Sequence, residues 1–477
     1  MLHARKVAGL SLIFTAFFFL EYTSLLRRVH LPYDLNSYHY PLSDYAFQAI
    51  RHGRFPQWDP TIYCGLSFVG NVQAALFYPP QWLMFLGAMG HPKLSYQAME
   101  YLVFAHVWLA FLLCYLWLFR QKRLHWLASA LGAGIFAFSG LMLLQLQHLG
   151  LIGAYTWMPL GFWGIDEAAE RRNWRPLWKL GVAFTMCILA GYPSMWVVFA
   201  ISMAAYALMQ RMTILTACAL GICFLFAAIA VLPALEASRT KSADPKYSRT
   251  SGIRDPEFYI SYFVPNYFDF SMKTDVQKNL GREYLYLGSP AFVGLALLTQ
   301  KKRAAPVAPF VGVLLASLLF LTNPFGLLGR AMEGTFLSDV FSAWYFLAGV
   351  TAAIAPMAAI GLDAVLHRTG RAWPDWLVLI VAGVTVCWAV RLIFLWSSDG
   401  FSVLGRSGID ALIGTMLCAA LLFAFAGSKG RISMVVGAGV LLLAAAEYKS
   451  FGTSKRFNAS PGPFDSNYAA AGFPEMD

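Results

Sequence analysis

The sequence predicts an all-α, polytopic membrane helical bundle of about thirteen transmembrane helices. Three observations predict it. Of 477 residues, 58% are hydrophobic and only 13% charged, with a mean hydropathy of +0.56, outside the range of soluble chains. Apolar runs near the ~20 residues that cross a ~30 Å hydrocarbon core recur along nearly the whole length. Lys and Arg cluster at alternate ends of those runs in one strict register.

In chain order, the spans are expected at about 7–26, 97–119, 126–144, 149–165, 177–191, 194–210, 212–232, 287–300, 305–322, 342–362, 374–396, 410–427 and 431–447. The first follows Arg5 and Lys6, but no small-residue cleavage site comes after it and Glu21 sits near its end. It reads as a retained helix rather than a signal peptide. The stretch from Ala74 to Met89 is also apolar, yet it is short, contains Pro79 and Pro80, and as a span would reverse every later loop. Without it, and with the N-terminus cytoplasmic, roughly 17 Lys and Arg fall in short cytoplasmic segments against about 2, Arg330 and Arg406, in the short external loops. The net charge of +11 is then a collar at the cytoplasmic leaflet and gives no argument for nucleic acid.

This topology makes residues 1–450 a transmembrane domain with long external loops at about 27–96 and 233–286, and 451–477 a flexible extracytoplasmic tail. The two long loops are rich in Tyr, Trp, Phe and His, so function is expected there. Only Cys64 of the cysteines lies in an external loop, and no disulfide framework or CxxC metal site follows. P-loop, GxSxG and HExxH patterns are absent.

The first loop opens on Asp34. Pro41 suits a first helical turn, Leu42, Tyr45, Ala46, Ala49 and Ile50 recur at helical spacing, and Gly53 suits a C-terminal cap. These predict an amphipathic interfacial helix whose polar face, Asp44, Gln48 and Arg51, looks towards a cavity. Pro79 to Leu86 forms a second such element.

The run Asp34-Leu35, Tyr40-Pro41, Gly53 to Pro60, Gly65 and Phe77-Tyr78-Pro79 resembles the first-loop signature of the YfhO-type membrane proteins, which belong with the GT-C glycosyltransferases. The likeness continues in Gly191-Tyr192-Pro193, Leu232-Pro233 with Glu236 and Ser238-Arg239, Tyr286-Leu287-Gly288, and Gly361-Leu362-Asp363. The resemblance implies a GT-C-like enzyme of the bacterial plasma (inner) membrane. Its partners would be a polyprenyl-phosphate-linked sugar as donor and a cell-envelope glycan or teichoic-acid-like polymer as extracytoplasmic acceptor. Phe341 to Phe346 departs from the pattern, occupying a region where an arginine-bearing motif is expected.

Sugar transfer from a lipid phosphate needs a base for the acceptor hydroxyl and cationic help for the leaving phosphate. Asp34, where the first span emerges, is the leading carboxylate, with a helix N-cap or a solvated loop residue as its structural alternative. Asp44 is a second catalytic candidate that could instead pair with Gln48, and Asp59 before Pro60 has the pattern of a turn former. Phosphate-binding candidates are Arg239, which leads through the resemblance, with Lys241, Lys246, Arg249 and Arg254; a basic loop facing anionic headgroups is the alternative. His148, after Gln145 and Gln147, and His39 could each bind phosphate or a metal, His148 beside the donor phosphate and His39 at the acceptor, although a lone interfacial histidine is more often a structural hydrogen-bonding residue. A divalent cation is left open, since no ligand spacing demands one. Trp58, Tyr63 and Tyr78 could stack on sugar or belong to an aromatic belt. Glu100, early in the second span, is either functional or snorkelling to the interface.

These residues point to an inverting membrane glycosyltransferase. A transporter or flippase of lipid-linked glycan and an inactive scaffold homologue are the alternatives. No internal repeat favours the transporter, and the charges gather in external loops rather than at the midplane.

Overall fold

The computed structural model describes residues 2–62, 64–239, 262, 286–298, 307–323, 326, 330, 342–366, 413–422, 424, 430–452 and 460–462. The chain is an all-helical membrane bundle with only short two-residue strands. Among the described residues, three helical stretches are alone long and apolar enough to cross a membrane: Tyr96–Gln121, Trp126–Leu144 and Ala343–Ala364. The expected span at 374–396 lies outside the described residues.

The helices follow the expected spans but are broken more often than hydropathy suggests. α1 (Leu2–Phe18) leads into the first loop, which holds α2 (Tyr40–Arg51) and α3 (Pro79–Ala88). α4 (Tyr96–Leu116) starts on a Ser95 cap and runs on as a π turn to Gln121. α5 (Trp126–Phe138) and α6 (Gly140–Leu144) share one of these stretches, and α7 (Leu149–Thr156) runs into α8 (Met158–Arg171), which has Pro159 in its first turn. α9 (Trp178–Leu189) and α10 (Pro193–Met209) follow. α11 (Thr213–Phe226) and α12 (Ala228–Ser238) are long and apolar enough to cross only if taken together, and they bend by 74° where they join. The later helices are α13 (Ser289–Leu297), α14 (Ala308–Thr322), α15 (Leu347–Leu366), α16 (Ile413–Leu422) and α17 (Gly430–Gly452).

Small residues let the central helices touch. A Cβ added at Gly361 of α15 would stand 1.8 Å from the Gly294 carbonyl of α13, and one at Gly132 of α5 would stand 2.7 Å from Ala359 Cβ. In a bilayer, where lipid is as apolar as leucine, such close approach supplies the dispersion energy that holds helices together.

The two ends of the bundle differ in chemistry. At one end the basic collar is paired with acids. Asp166, on α8, accepts from Trp117 Nε1 at 2.8 Å, Lys122 Nζ at 2.9 Å, Tyr206 OH at 2.7 Å and Gln210 Nε2 at 2.9 Å, tying α8 to the ends of α4 and α10. Glu167 pairs with Arg171 and Lys179, and Glu170 with Arg123. Asp363 accepts from the His125 backbone N–H at 2.6 Å, so the late Gly-Leu-Asp motif docks α15 onto the start of α5.

The opposite end carries the first loop and the end of α17. β1 (Val29–His30) pairs antiparallel with β4 (Ser460–Pro461), and Lys449 reaches Glu21 at 2.8 Å. The segment after the last helix therefore shares a side with the loop after the first, which requires an even number of crossings between them. It also corrects the expectation of a flexible tail for Ser460–Gly462, whose Gly462 N–H donates to Arg28 O at 2.8 Å.

Candidate functional site

The first loop is folded onto the bundle by its own helices. α2 has Pro41 in its first turn and ends on Gly53 at φ +70°, with Gly53 N–H donating to Ile50 O. Its apolar residues Leu42, Tyr45, Ala46 and Ala49 are buried, as the periodicity requires. The polar face meets the turn that precedes α4. Asp44 accepts from Leu94 N–H at 3.1 Å, and Gln48 Nε2 and Arg51 Nη1 both donate to Pro92 O, at 2.9 and 3.2 Å. Asp44, a catalytic candidate from the sequence, is held in this contact. Its carboxylate is buried, raised above the usual range by that burial and opposed by the Leu94 and Gln48 hydrogen bonds, and it clamps the turn leading into α4.

Tyr78 is held as well. Its ring is buried, its hydroxyl donates to His106 Nε2 at 2.7 Å, and it accepts from Trp157 Nε1 at 3.0 Å. It offers a sugar no surface and joins the loop to α4 and the α7–α8 break. Asp59 accepts from the Thr61 N–H and hydroxyl at 2.8 and 2.6 Å, in the role of a turn former. Glu100 is buried and accepts from Leu31 N–H at 2.9 Å, fixing the loop where it leaves the first span. Trp58 is exposed, its indole lying over Gly65 in the turn between β2 (Trp58–Asp59) and β3 (Leu66–Ser67).

Three of the sequence candidates meet. Tyr33 sits at φ +62°, an uncommon conformation for a residue with a Cβ, and the chain then makes a π turn, Leu35–His39. Asp34 begins that turn without capping it through its side chain, contrary to the N-cap alternative. Its Oδ2 lies 3.0 Å from Nε2 of His148, at the start of α7; the aspartate side chain is 54% exposed and the histidine 16%. Nδ1 of His148 lies 2.6 Å from Oε1 of the buried Gln145. His39, turned inward four residues after Leu35, is buried beside them. Burial, then the neighbouring His148, push its imidazole down to about 3, with Asp34 pulling the other way, so it is neutral at physiological pH.

The walls of this spot come from further along the chain. The Tyr192 ring stands 6.3 Å from the His148 ring, and its hydroxyl is 2.7 Å from that of Tyr345, whose ring lies 4.0 Å from that of Trp344 at a tilt of 37°. Gly191, at φ +82°, is packed so tightly that a Cβ there would lie 1.8 Å from Val72 O. On its other side the same loop segment meets α12: a Cβ at Gly70 would lie 2.6 Å from Ala237 Cβ. Arg239 follows two residues later, exposed at the end of α12. Arg249, Lys241, Lys246, Arg254 and Tyr63 lie outside the described residues. Among the described residues no group of three or more His, Cys, Asp or Glu is placed to hold a metal ion.

Sequence reasoning missed Gln145 as a functional partner, and also Tyr192 and Tyr345. The signals were present as the i, i+3 spacing of Gln145 and His148 and as the Gly191-Tyr192-Pro193 motif, but the Tyr345 contact spans 153 residues.

Chemically, the spot combines an accessible carboxylate with an imidazole beside it. That set can accept a proton from a hydroxyl and stabilise a departing anion.

No protein-family profile and no curated protein matches the chain. Among solved structures, the crystal structure of ArnT from Cupriavidus metallidurans bound to undecaprenyl phosphate is similar over 94% of this chain and 76% of that one, at 13% identity and a TM-score of 0.39. At that level of likeness no statement about chemistry passes between the two chains.

Proposed function

We propose that this chain is a GT-C-like membrane glycosyltransferase that moves a sugar from a polyprenyl-phosphate-linked donor to an extracytoplasmic cell-envelope glycan or teichoic-acid-like acceptor, with inversion. The observation that supports the reading best is the Asp34–His148 pair at the mouth of the first loop, 3.0 Å apart and partly open. Asp34 takes the proton of the acceptor hydroxyl as its oxygen attacks the sugar. His148, with Arg239 at the rim, faces the charge that develops on the leaving phosphate. The basic end of the bundle is assigned to the cytoplasm by its Lys and Arg, which puts the first loop on the extracytoplasmic side.

The test is transfer of labelled sugar from polyprenyl-phosphate donors to envelope acceptors in membranes containing wild type, Asp34→Asn or no protein. Asp34→Asn is expected to lower transfer by about 10²-fold or more. Equal transfer by Asp34→Asn would remove Asp34 from the mechanism. The 74° break between α11 and α12 is the one observation that favours a transporter of lipid-linked glycan. Translocation of the lipid without any transfer would establish that reading instead.

A further inference from the structure

We propose that Gln145, His148 and Asp34 form a proton relay in which Gln145 is a positioning residue: its carbonyl keeps a proton on Nδ1 of His148, so that Nε2 and the Asp34 carboxylate share a single proton.

The argument runs from the buried end outward. Gln145 Oε1 can only accept a hydrogen bond, so at 2.6 Å from Nδ1 it requires a proton on that nitrogen. The turn that sets this geometry is itself fixed, with His148 N–H donating to Gln145 O at 2.8 Å and Gln145 N–H to Leu141 O at 3.2 Å. On the other side, Nε2 and Oδ2 stand 3.0 Å apart. Two bare lone pairs repel at that distance, so a proton lies between them. The pair is either imidazolium with carboxylate or imidazole with carboxylic acid, and in both forms its net charge is zero. Among the described residues, the titratable groups facing the pair are His39 from the π turn, neutral by burial, and the phenol of Tyr192 from the α9–α10 turn, bonded to the phenol of Tyr345.

For its chemistry the relay rests on the transferase reading. The acceptor O–H bond breaks as its proton passes to Asp34, and the acceptor oxygen forms a bond to the anomeric carbon. The bond from that carbon to the phosphate oxygen breaks, its electron pair leaving on the lipid phosphate, which takes the shared proton from Nε2. The proton newly held by Asp34 then becomes the shared one. One proton arrives and one departs, and the pair ends the turnover as it began.

The test is solid-state NMR of the full chain in bilayers with ¹⁵N-labelled histidine, using His148→Gln to pick out the resonances of His148 among the 9 histidines. Wild type is expected to show a protonated Nδ1 throughout, with the Nε2 resonance changed by Asp34→Asn. Gln145→Met should release the Nδ1 proton and give a mixture of tautomers, and it should lower transfer about fivefold to tenfold, the worth of one orienting hydrogen bond. Gln145→Glu, which still accepts at Nδ1, should restore both. A bare Nδ1 in wild type, or an Nδ1 signal indifferent to Gln145→Met, overturns the relay. The spectra need no turnover, so a correct Nδ1 signature in a chain that transfers no sugar would fault the transferase reading and leave the relay standing.

Discussion

His39 shows how one side chain ties the site to the stability of the whole loop. In an unfolded chain its imidazole binds a proton at the ordinary value near 6.5, whereas in the fold it does so only at about 3. Between those values the unfolded state holds more protons, so stability is lost as pH falls below about 6.5 and the loss is complete near 3. At pH 5 the cost is roughly 2 kcal/mol. The melting temperature in detergent is therefore expected to fall between pH 7 and pH 5, and the fall should shrink in His39→Gln; an equal fall in both proteins would refute the assignment. At this scale the sequence was partly legible. Asp34, His39 and His148 each stood out as polar groups beside apolar spans, and they do converge. Gln145 did not, because a glutamine in a turn is unremarked until the imidazole it orients is known. The partners of Asp44 and Tyr78 were hidden for the complementary reason: a polar atom in a functional-looking loop says nothing about which buried backbone or ring it satisfies.

At the scale of elements, periodicity found α2 and its caps almost to the residue, because a half-buried helix writes its buried face into the sequence every three or four positions. The π turn at Leu35–His39 left no such trace, since one inserted residue has no period to reveal it. The breaks between α7 and α8 and between α11 and α12 were likewise hidden inside continuous apolar runs. The Gly191 turn is the element most exposed to a single change. Gly191→Ala would combine an unfavourable φ with a Cβ 1.8 Å from Val72 O, a cost of about 2 to 5 kcal/mol. Gly181→Ala on α9, with nothing within 4 Å of the added carbon, is the control. Thermal midpoints should drop sharply for the first variant and hardly at all for the second; similar midpoints would mean that the turn is not clamped.

For the whole molecule, the alternation of Lys and Arg sorted the loops onto two sides, and the described contacts group them the same way. The turns at 145–148 and 190–192 meet the first loop at one end, whereas 120–125, 171–178 and 209–213 meet around Asp166 at the other. Distances between helices far apart in sequence were not legible, because lipid-facing and protein-facing apolar residues look alike. The grouping has a direct check. Cys64 is exposed in the first loop, and a membrane-impermeant maleimide added to intact cells should label it. In a Cys64→Ser background, Ser460→Cys should be labelled from that same side and Arg123→Cys only after permeabilisation. Labelling of Arg123→Cys in sealed cells would reverse the assignment.

The clamp of Gly191 on Val72 and of Ala237 on Gly70 has a bearing on traffic. A loop packed against the helical core at two points is not built to swing away as a lid, so under the proposed function a lipid-linked donor would be expected to enter sideways from the bilayer rather than through an opening of the loop.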